Sequence, residues 1–578
     1  MTKEGKLDFI SMLLYIEGDK MAKKWEILNK LKGQSAKLKV EEIIKILLEN
    51  RGIKTASQKE EFFQPIHPDK LTAEKFGIDP IQLKKTVERI KQAKKSKEKV
   101  IVWGDYDADG ICGAAILWEA LYYSGVNALP FIPERRTEGY GLNIARMKQL
   151  KEEDPTVGLI ITVDNGIVAH EKVDTAKELG IDVIITDHHL PRQTKPKAYS
   201  ILHTVSISGA GVAYLLAREL KIENLKLKIA DDWLGLAALA TIADMIPLVG
   251  VARSLVYHGL PVLQRTKRLG IMALFEVAGR PQKDLGTYDI GFILAPRLNA
   301  MGRLENALDS LRLLCTKNSA QARLLAQRLN QTNIQRQQMV VEAWTHAQTQ
   351  VDGQKLIFVA HETYHEGIVG LVASRLVEQF NRPAMVIAKG AELSRGSARS
   401  ITGFNIVELL EKGREFLVEG GGHPMAAGFT VKTESISLLA EVLQKETVNI
   451  LTEEISLPKL KIDCEIPLES VNEKLTREVM KFAPFGIGNP EPVFATCGVM
   501  VDDARLVGGD RQHLKLTISQ EPNSLTAQQP MEAIGFGMGE MCGKLSPDKK
   551  VDIAYTVGID TWSGNKRLQL KLRDIQVK

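Results

Sequence analysis

Three apolar runs in the first third of the chain constrain its fold more than any other feature. They are "KVIVW" (99–103), "VGLIITV" (157–163) and "IDVIIT" (181–186). Each stops at polar residues, and a helical pattern follows the first two. Near-continuous apolar strands that alternate with helices are typical of a parallel sheet with both faces covered. The sequence therefore predicts an α/β fold with a parallel sheet in this region.

Acidic clusters follow all three predicted strands. The segments "GDYDADG", "DNG" and "DHH" bring these side chains to the strand ends: Asp105, Asp107, Asp109, Asp164, Asp187, His188 and His189. Carboxyl ends of parallel strands share one edge of the sheet, where ligands bind in open α/β folds. A single acidic turn is usually only solvated, but three such clusters at one edge would repel one another without cations.

A fourth segment adds another carboxylate to the candidate site. The stretch "DDWLGLAALATIADMIPL" (231–248) predicts an apolar helix that ends at Asp244, just before a proline-containing stop. A carboxylate that ends such a helix is costly to bury unless it is paired, hydrogen-bonded or bound to a metal.

These side chains form a candidate metal site. The candidate ligands are Asp107, Asp109, Asp164, His188 and Asp244. Four carboxylates and one imidazole suit Mn²⁺ or Mg²⁺ better than zinc, and the imidazole favours Mn²⁺. Asp164 is the candidate to bridge two ions ~3.5–4 Å apart, a pair that could hydrolyse a phosphodiester. His189 has two interpretations: it contacts the scissile phosphate, or it only orients its neighbour.

Composition sets wider limits on the chain. Its 578 residues suggest three or four domains, and 44% hydrophobic and 25% charged residues are usual for globular proteins. The net charge of +5 is compatible with a polyanionic partner but does not establish one. The five cysteines form no CxxC pair, which favours free thiols over a disulfide framework or a zinc ribbon.

The N-terminal residues do not predict membrane insertion. The apolar run "FISMLLYI" is short, lacks a small-residue cleavage site and leads into "EGDKMAKKW", so we expect no signal peptide. A second interpretation is that Met21 is the natural start and residues 1–20 are an upstream extension. We expect a cytoplasmic protein.

Changes in pattern along the chain predict its domain limits. A helical connector, a second α/β region and a C-terminal region of period-two strands follow the parallel sheet. The predicted limits are 1–78 for an N-terminal extension and helical segment, 79–325 for the parallel-sheet domain, 326–350 for a connector helix, 351–450 for the second α/β domain and 458–578 for a small β-barrel or sandwich.

Eight motifs, in order, carry a resemblance to a known family. Four of them, "GDYDADG", "VDNG", "TDHH" and "ATIADMIPL", resemble the DHH phosphoesterase superfamily. The others, "APRLNAMGR", "YHEGIVGLVASRL", "RGSARSI" and "GGGHPMAAGF", resemble the RecJ family of single-strand-specific 5′→3′ exonucleases with its DHHA1 domain. The segment "APFGIGNPEPVF" and the β-rich tail resemble the OB domain of that family.

The resemblance implies a function and further site residues. It implies two-metal hydrolysis of single-stranded DNA to 5′ mononucleotides in DNA repair and recombination, in a cleft between the two α/β lobes. It implies that the 5′ phosphate or DNA is bound by Arg135, Arg303, Ser397, Arg399 and His423. Arginine suits bidentate phosphate binding, although Arg303 could also be a structural ion pair and His423 a turn residue. Implied partners are single-stranded DNA, a RecQ-type helicase and single-strand-binding protein, with no membrane and a monomeric state.

Two regions leave the assignment of residues open. Trp103 stands where several DHH phosphoesterases have a metal-binding histidine, so we expect Asp105 to help hold the first metal. In the barrel, basic and aromatic side chains could line a single-strand groove or form a solvated basic face. They are Arg511, His513, Lys515, Trp562, Lys566 and Arg567.

Two alternative functions are weighed against the exonuclease. A phosphoesterase for short oligoribonucleotides or pAp would share the metal site but would not need a C-terminal strand-binding domain. A non-catalytic single-strand-binding scaffold would not need the candidate ligands, which are all present.

Overall fold

The computed structural model describes residues 23–29, 39–135, 137–222, 227–520, 530–560 and 567–577. The expectations about a signal peptide and about Met21 lie outside these residues, as do Trp562 and Lys566. In the described part, no helix combines the length and the apolar character needed to cross a membrane.

The strands are numbered in chain order. They are β1 (Lys24–Ile27), β2 (Lys99–Gly104), β3 (Ala128–Phe131), β4 (Val157–Val163), β5 (Asp182–Asp187), β6 (Ser200–His203), β7 (Ile357–His361), β8 (Ala384–Ala388), β9 (Leu393–Arg399), β10 (Leu417–His423), β11 (Ala426–Lys432), β12 (Lys459–Ile462), β13 (Cys464–Glu465), β14 (Phe494–Val507), β15 (His513–Ser519), β16 (Met531–Gly535), β17 (Lys550–Asp560) and β18 (Arg567–Val577).

The α-helices are numbered in the same way. They are α1 (Val40–Asn50), α2 (Ala56–Phe63), α3 (Pro80–Lys95), α4 (Ala108–Tyr123), α5 (Ile144–Glu153), α6 (His170–Glu178), α7 (Gly209–Glu219), α8 (Leu227–Ala243), α9 (Gly250–Leu263), α10 (Leu269–Ala278), α11 (Thr287–Asp289), α12 (Ala295–Leu304), α13 (Leu308–Cys315), α14 (Ser319–Gln348), α15 (Val369–Phe380), α16 (Ile406–Lys412), α17 (Ile436–Ile450), α18 (Glu453–Ser456) and α19 (Glu473–Met480).

The chain forms two compact units. The first consists of Glu60–Gln338 and Pro484–Pro490, and the second contains the other described residues. The chain passes from the first unit to the second within α14. This long helix begins at Ser319, where the side chain of Asn318 accepts hydrogen bonds from the backbone N–H groups of Ala320 and Gln321.

A five-stranded parallel sheet organises the first unit, as the sequence predicts. Its order is β3-β2-β4-β5-β6, and every neighbouring pair is parallel. Along β2, Val100 and Val102 join the core on one face of the sheet, whereas Ile101 and Trp103 join the core on the other. Because both faces are covered, each residue of the strand must be apolar, which explains the unbroken apolar runs.

The second unit contains a mixed sheet and a barrel. The mixed sheet has the order β10-β11-β9-β8-β7, in which only the β7–β8 pair is parallel. The barrel closes through the ring β14-β15-β16-β18-β17 and back to β14. Register shifts at Thr496/Val499 and Val501/Asp503 bend β14, so that it can pair on both of its sides. The predicted OB-like barrel is therefore confirmed.

The described N-terminal residues are part of the second unit. Strand β1 pairs in parallel with β12, in the register Trp25↔Leu460. The indole of Trp25 donates a hydrogen bond of 2.7 Å to Asp574, and the guanidinium of Arg51 lies 3.2 Å from Asp463. Residues from both ends of the chain thus stabilise the same fold.

A buried ion pair anchors the far end of α4 in the first unit. The guanidinium of Arg268 binds both carboxylate oxygens of Glu119, at 3.0 and 2.8 Å, and the indole of Trp233 donates to Glu119 at 2.9 Å. Burial alone would raise the pKa of Glu119, but Arg268 outweighs burial and lowers it below its usual 4.5. The pair therefore stabilises the fold at neutral pH, and this contribution is lost as pH falls through the lowered pKa.

We expect Glu119→Ala to lower the free energy of unfolding by ~3–5 kcal/mol, because Arg268 would be left buried without its partner. Urea denaturation followed by circular dichroism measures this change. Glu88→Ala is the matched control, since Glu88 is exposed on α3 and lies 4.0 Å from Lys84. An equal shift in both variants would contradict the prediction.

Candidate metal centre

The turn after β2 places three aspartates at the carboxyl edge of the sheet. Asp107 caps the N-terminus of α4, and its Oδ1 accepts hydrogen bonds from the backbone N–H groups of Asp109 (2.9 Å) and Gly110 (3.1 Å). Gly110 is required here because a Cβ would lie 2.6 Å from the backbone N and O of Asp105. The tight turn buries both Asp105 and Asp109.

The start of α7 orients Asp109. Its two carboxylate oxygens accept hydrogen bonds from the backbone N–H groups of Gly209 (2.7 Å) and Ala210 (2.8 Å). At Gly209, a Cβ would lie 2.9 Å from the Cα of Asp164. Only glycine therefore allows α7 to begin this close to the second acidic cluster.

Asp164 lies directly after β4 in an unusual backbone conformation. Its φ of +64° is in the left-handed region, which is uncommon for a residue other than glycine. Its N–H donates to the carbonyl of Thr186, and its own carbonyl accepts a hydrogen bond of 3.1 Å from the hydroxyl of Tyr140. These bonds hold the strained residue in place.

His188 lies among three carboxylates. Its Nε2 is 3.0 Å from Asp164 Oδ1, 3.4 Å from Asp244 Oδ2 and 3.6 Å from Asp109 Oδ2. Asp164 lies directly after β4, Asp244 lies directly after α8, and Asp109 is in the first turn of α4. Side chains from distant parts of the sequence are thus close enough to share an ion.

Asp187 positions the two histidines. Its Oδ1 accepts hydrogen bonds from the backbone N–H groups of His188 (2.7 Å) and His189 (3.1 Å) and lies 2.7 Å from His189 Nδ1. Its Oδ2 accepts the N–H of Ile167 at 2.9 Å. Burial alone would raise the pKa of Asp187, but the bond to His189 outweighs burial and lowers it. Burial alone would lower the pKa of His189, but Asp187 raises it to about 9.

Burial and mutual repulsion raise the free energy of the aspartate cluster when its carboxyl groups are ionised. Burial and then Asp107 raise the pKa of Asp109 to about 7, and burial and then Asp109 raise the pKa of Asp244 to about 8. The pKa values of Asp105 and Asp164 are also well above their usual 3.8, first from burial and then from neighbouring carboxylates. Bound cations would remove this cost.

The arrangement fits divalent cations. Three groups have ligand atoms within 4.8 Å of one another: Asp105, Asp107 and Asp164; Asp109, His188 and Asp244; and Asp164, His188 and His189. The first two groups share no residue, so the site has donors for two ions. Oδ1 of Asp105 is buried and has no hydrogen-bond partner among the described residues, as expected of a metal ligand. Carboxylate and imidazole donors suit Mn²⁺ and Mg²⁺.

Trp103 has a structural role in this arrangement. It is fully buried on the face of the sheet that points away from α4. Its indole donates a hydrogen bond of 3.0 Å to the carbonyl of Gly141. The residue that stands at the usual histidine position thus packs away from the carboxylates, whereas Asp105 joins Asp107 and Asp164.

Two of the arginines expected to bind phosphate lie beside the acidic cluster, in the first unit. The guanidinium of Arg135 is 5.4 Å from the ring centroid of Tyr106, which follows Asp105. Arg303 is near the end of α12, where a Cβ on Gly302 would lie 2.4 Å from the carbonyl of Tyr106. Both arginines therefore border the turn after β2.

The other expected phosphate ligands lie on the mixed sheet of the second unit. Arg399 donates a hydrogen bond of 2.8 Å to the hydroxyl of Ser397, two residues earlier on β9. A Cβ on Gly370 would lie 2.8 Å from Arg399 and 3.0 Å from Ser397, so glycine at this position lets α15 pack closely against the pair. His423 is exposed at the end of β10, two strands away from Arg399, which is about 10 Å.

The candidate groove residues of the barrel differ in their surroundings. Lys515 lies 2.9 Å from Glu532, which neutralises its charge. The ring of His513 packs edge to face against the exposed Phe536, with centroids 5.4 Å apart. Arg511 and Arg567 are exposed.

Sequence reasoning missed several groups that shape the site. They include the amides of Gly209 and Ala210, the hydroxyl of Tyr140 and the side chain of Asn299, which accepts the N–H of Ala108 at 2.6 Å. The stretch "SGAG" (208–211), a serine cap followed by small residues, could have indicated a helix start with free backbone amides. Ser208 does accept the N–H of Gly211. Asn299 lies within the motif "APRLNAMGR", but nothing in that motif indicates a contact with Ala108, and Tyr140 has no comparable local signal.

Three family models match the chain. They are the DHH family, N-terminal domain (residues 99–241), the DHHA1 domain (352–449) and the RecJ OB domain (462–574).

Curated relatives match most of the chain. The single-stranded-DNA-specific exonuclease RecJ of Bacillus subtilis is 36% identical over 96% of this chain and 71% of the relative. That of Haemophilus influenzae is 32% identical over 86% of this chain and 91% of the relative. The crystal structure of RecJ from Thermus thermophilus in complex with Mn²⁺ covers 96% of this chain and 80% of that chain, with a TM-score of 0.79 and 27% identity.

We expect Asp187→Asn to weaken Mn²⁺ binding about 10–100-fold, because the residue orients both histidines without belonging to a ligand group. Isothermal titration calorimetry measures the affinity. Asp174→Asn, on the exposed side of α6, is the control and should bind as the parent does. Unchanged affinity in a folded Asp187→Asn variant would rule out this positioning role.

Proposed function

This chain belongs to the RecJ family of single-stranded-DNA-specific exonucleases, and we propose that it degrades single-stranded DNA from the 5′ end to mononucleotides. The observation that carries the proposal is the convergence of Asp109, Asp164 and Asp244 on Nε2 of His188. Mn²⁺ or Mg²⁺ would be held by Asp105, Asp107, Asp109, Asp164, His188 and Asp244. Two such ions supply an activated water molecule and charge stabilisation at the leaving oxygen.

The chain's own side chains orient the substrate. His189 is about 39% exposed and its raised pKa keeps it protonated at neutral pH, so it can donate a hydrogen bond to a phosphate oxygen of the scissile bond. Asp187 holds this imidazolium in position and is itself kept ionised by its hydrogen bonds. The two residues have separate roles: Asp187 positions, and His189 contacts the substrate.

The terminal phosphate would determine the direction of degradation. We propose that it is bound by Arg135, Arg303, Ser397 and Arg399, with His423 as a further DNA contact. The support is chemical: guanidinium groups bind phosphate bidentately, and Arg399 lies beside the hydroxyl of Ser397, to which it donates a hydrogen bond of 2.8 Å. A phosphodiester at a fixed distance from the bound terminus would then be cleaved first.

Long strands are the favoured substrate. A closed OB-like barrel is a typical single-strand-binding module, which a phosphoesterase for short oligoribonucleotides or pAp would not need. We also propose the domain limits 79–325, 351–450 and 458–578, and each matched family range lies within one of them.

Cellular context follows from the substrate. Single strands arise when a duplex is unwound. We propose that a helicase of the RecQ type supplies them and that single-strand-binding protein binds the same strands. We further propose a monomer that acts in the cytoplasm in DNA repair and recombination.

We expect a 40-nucleotide strand labelled at its 3′ end to lose nucleotides from its 5′ end in the presence of Mn²⁺. Asp164→Ala should abolish this loss, because Asp164 belongs to two of the ligand groups. Gel analysis of 5′- and 3′-labelled strands gives the polarity. Faster turnover of a dinucleotide than of the long strand would favour the short-substrate alternative, and loss from the 3′ end would exclude the proposed polarity.

We expect Arg399→Gln to raise KM for a 5′-phosphorylated strand about 10–100-fold, since a charge-assisted hydrogen bond contributes about 1.5–3 kcal/mol. A strand with a 5′ hydroxyl should show little difference between variant and parent. Steady-state kinetics on both strands test this, with Arg323→Gln, an exposed arginine on α14, as the control. Equal loss on both strands would assign Arg399 a structural role.

A further inference from the structure

Positive charge is concentrated in two segments of the first unit. Residues 80–97 and 190–198 carry a net charge of +9, against +5 for the whole chain. We define the basic band as their exposed basic residues: Lys84, Lys85, Lys91, Lys94, Lys95, Lys97, Arg192, Lys195 and Lys197. The two segments contain a single acidic residue, Glu88. Buried Arg89 is not part of the band, because it pairs with Glu98 and Asp182 at 2.7 Å.

The two segments of the basic band adjoin along the edge of the parallel sheet. Strand β6 is an edge strand, and α3 packs against its start, where Thr86 and Ser200 are joined by a hydrogen bond of 2.7 Å. The ammonium of Lys85 lies 4.6 Å from the ring centroid of Tyr199, the residue that ends the loop. The loop lysines and the helix lysines are therefore continuous at this point.

The basic band begins at the metal centre. Its loop starts immediately after His189, and Nε2 of His203, at the end of β6, lies 2.7 Å from the carbonyl of His189. From His203 back to Ser200 the strand spans about 10 Å, and α3 extends about 24 Å. Positive charge thus extends from the carboxylates, at the carboxyl ends of the strands, towards the amino-terminal ends of the strands.

We propose that the basic band binds the phosphate backbone of the nucleic-acid strand outside the metal centre, without reading its bases. This inference rests on the proposed function. Lysine ammonium groups attract phosphates electrostatically and give no base selectivity. Within the two segments, the exposed large apolar side chains are Ile81 and Leu190, so an extended polyanion fits the band better than a peptide that needs an apolar anchor.

The test compares strand lengths in the full chain. Fluorescence anisotropy in EDTA measures the binding of dT2 and dT40 over a range of salt concentrations. The loop variant is Arg192→Ala/Lys195→Ala/Lys197→Ala, and the helix variant is Lys91→Ala/Lys94→Ala/Lys95→Ala. The control variant, Lys75→Ala/Lys267→Ala/Lys283→Ala, removes three exposed lysines of the same unit from outside the band.

We expect the salt dependence of dT40 binding to become shallower in both test variants. Losing three phosphate contacts reduces the magnitude of the negative slope of log K against log salt by about 2, since each contact on a single strand contributes about 0.7. Binding of dT2 should change little in the helix variant, because a dinucleotide held at the metal centre is too short to reach Lys91, Lys94 and Lys95 on α3. The control should keep the parent slope.

Three outcomes would overturn the inference. One is an unchanged slope for dT40 in both variants. Another is an equal loss for dT2 and dT40 in the helix variant, which would place these lysines in the strand site of the metal centre itself. The third is that polyglutamate binding depends on the band whereas dT40 binding does not, which would make the partner an acidic protein.

The inference and the proposed function can fail separately. If the parent protein does not degrade the labelled 40-mer with Mn²⁺, the proposed function fails. If it does so and the slopes of the test variants match that of the parent, only the basic band is excluded.

Discussion

Repulsion among buried carboxylates is the constraint on which the rest of the first unit depends. Asp109, Asp164 and Asp244 all lie within 3.6 Å of one imidazole nitrogen of His188, and burial raises their pKa values. The surrounding fold compensates with backbone donors, such as the first amides of α7, and with glycines that let helices approach. A structure built only for stability would not collect these charges, so the cluster indicates chemistry.

Local pattern was sufficient to predict the parallel sheet of the first unit, whereas the choice of a barrel over a sandwich at the C-terminus came from the family resemblance. The unbroken apolar run of β2 reflects cores on both faces, since Val102 and Trp103 enter different ones. Strand ends are also visible in the sequence, and for this reason Asp164 and His188 could be expected at one edge before their distance of 3.0 Å was known.

Contacts between residues far apart in the sequence could not be predicted in this way. The amide of Gly209 reaches Asp109 from one hundred residues further along the chain, and Asn299 reaches Ala108 from an even greater separation. No periodicity in the sequence encodes such contacts, because they depend on how helices are packed. The paired histidines show the same limit: their spacing identified them, but only geometry shows that Asp187 orients them.

The pairing of β1 with β12 has a consequence for biosynthesis. Residues 24–27 find their partners only at 459–462, so at 5–20 residues per second the ribosome needs on the order of 20–90 s to deliver the missing strand. During that interval Trp25 and Ile27 belong to a nascent chain whose complementary edge does not yet exist. We expect chaperone occupancy of this segment on the ribosome, and a translation pause before residue 459 should prolong it.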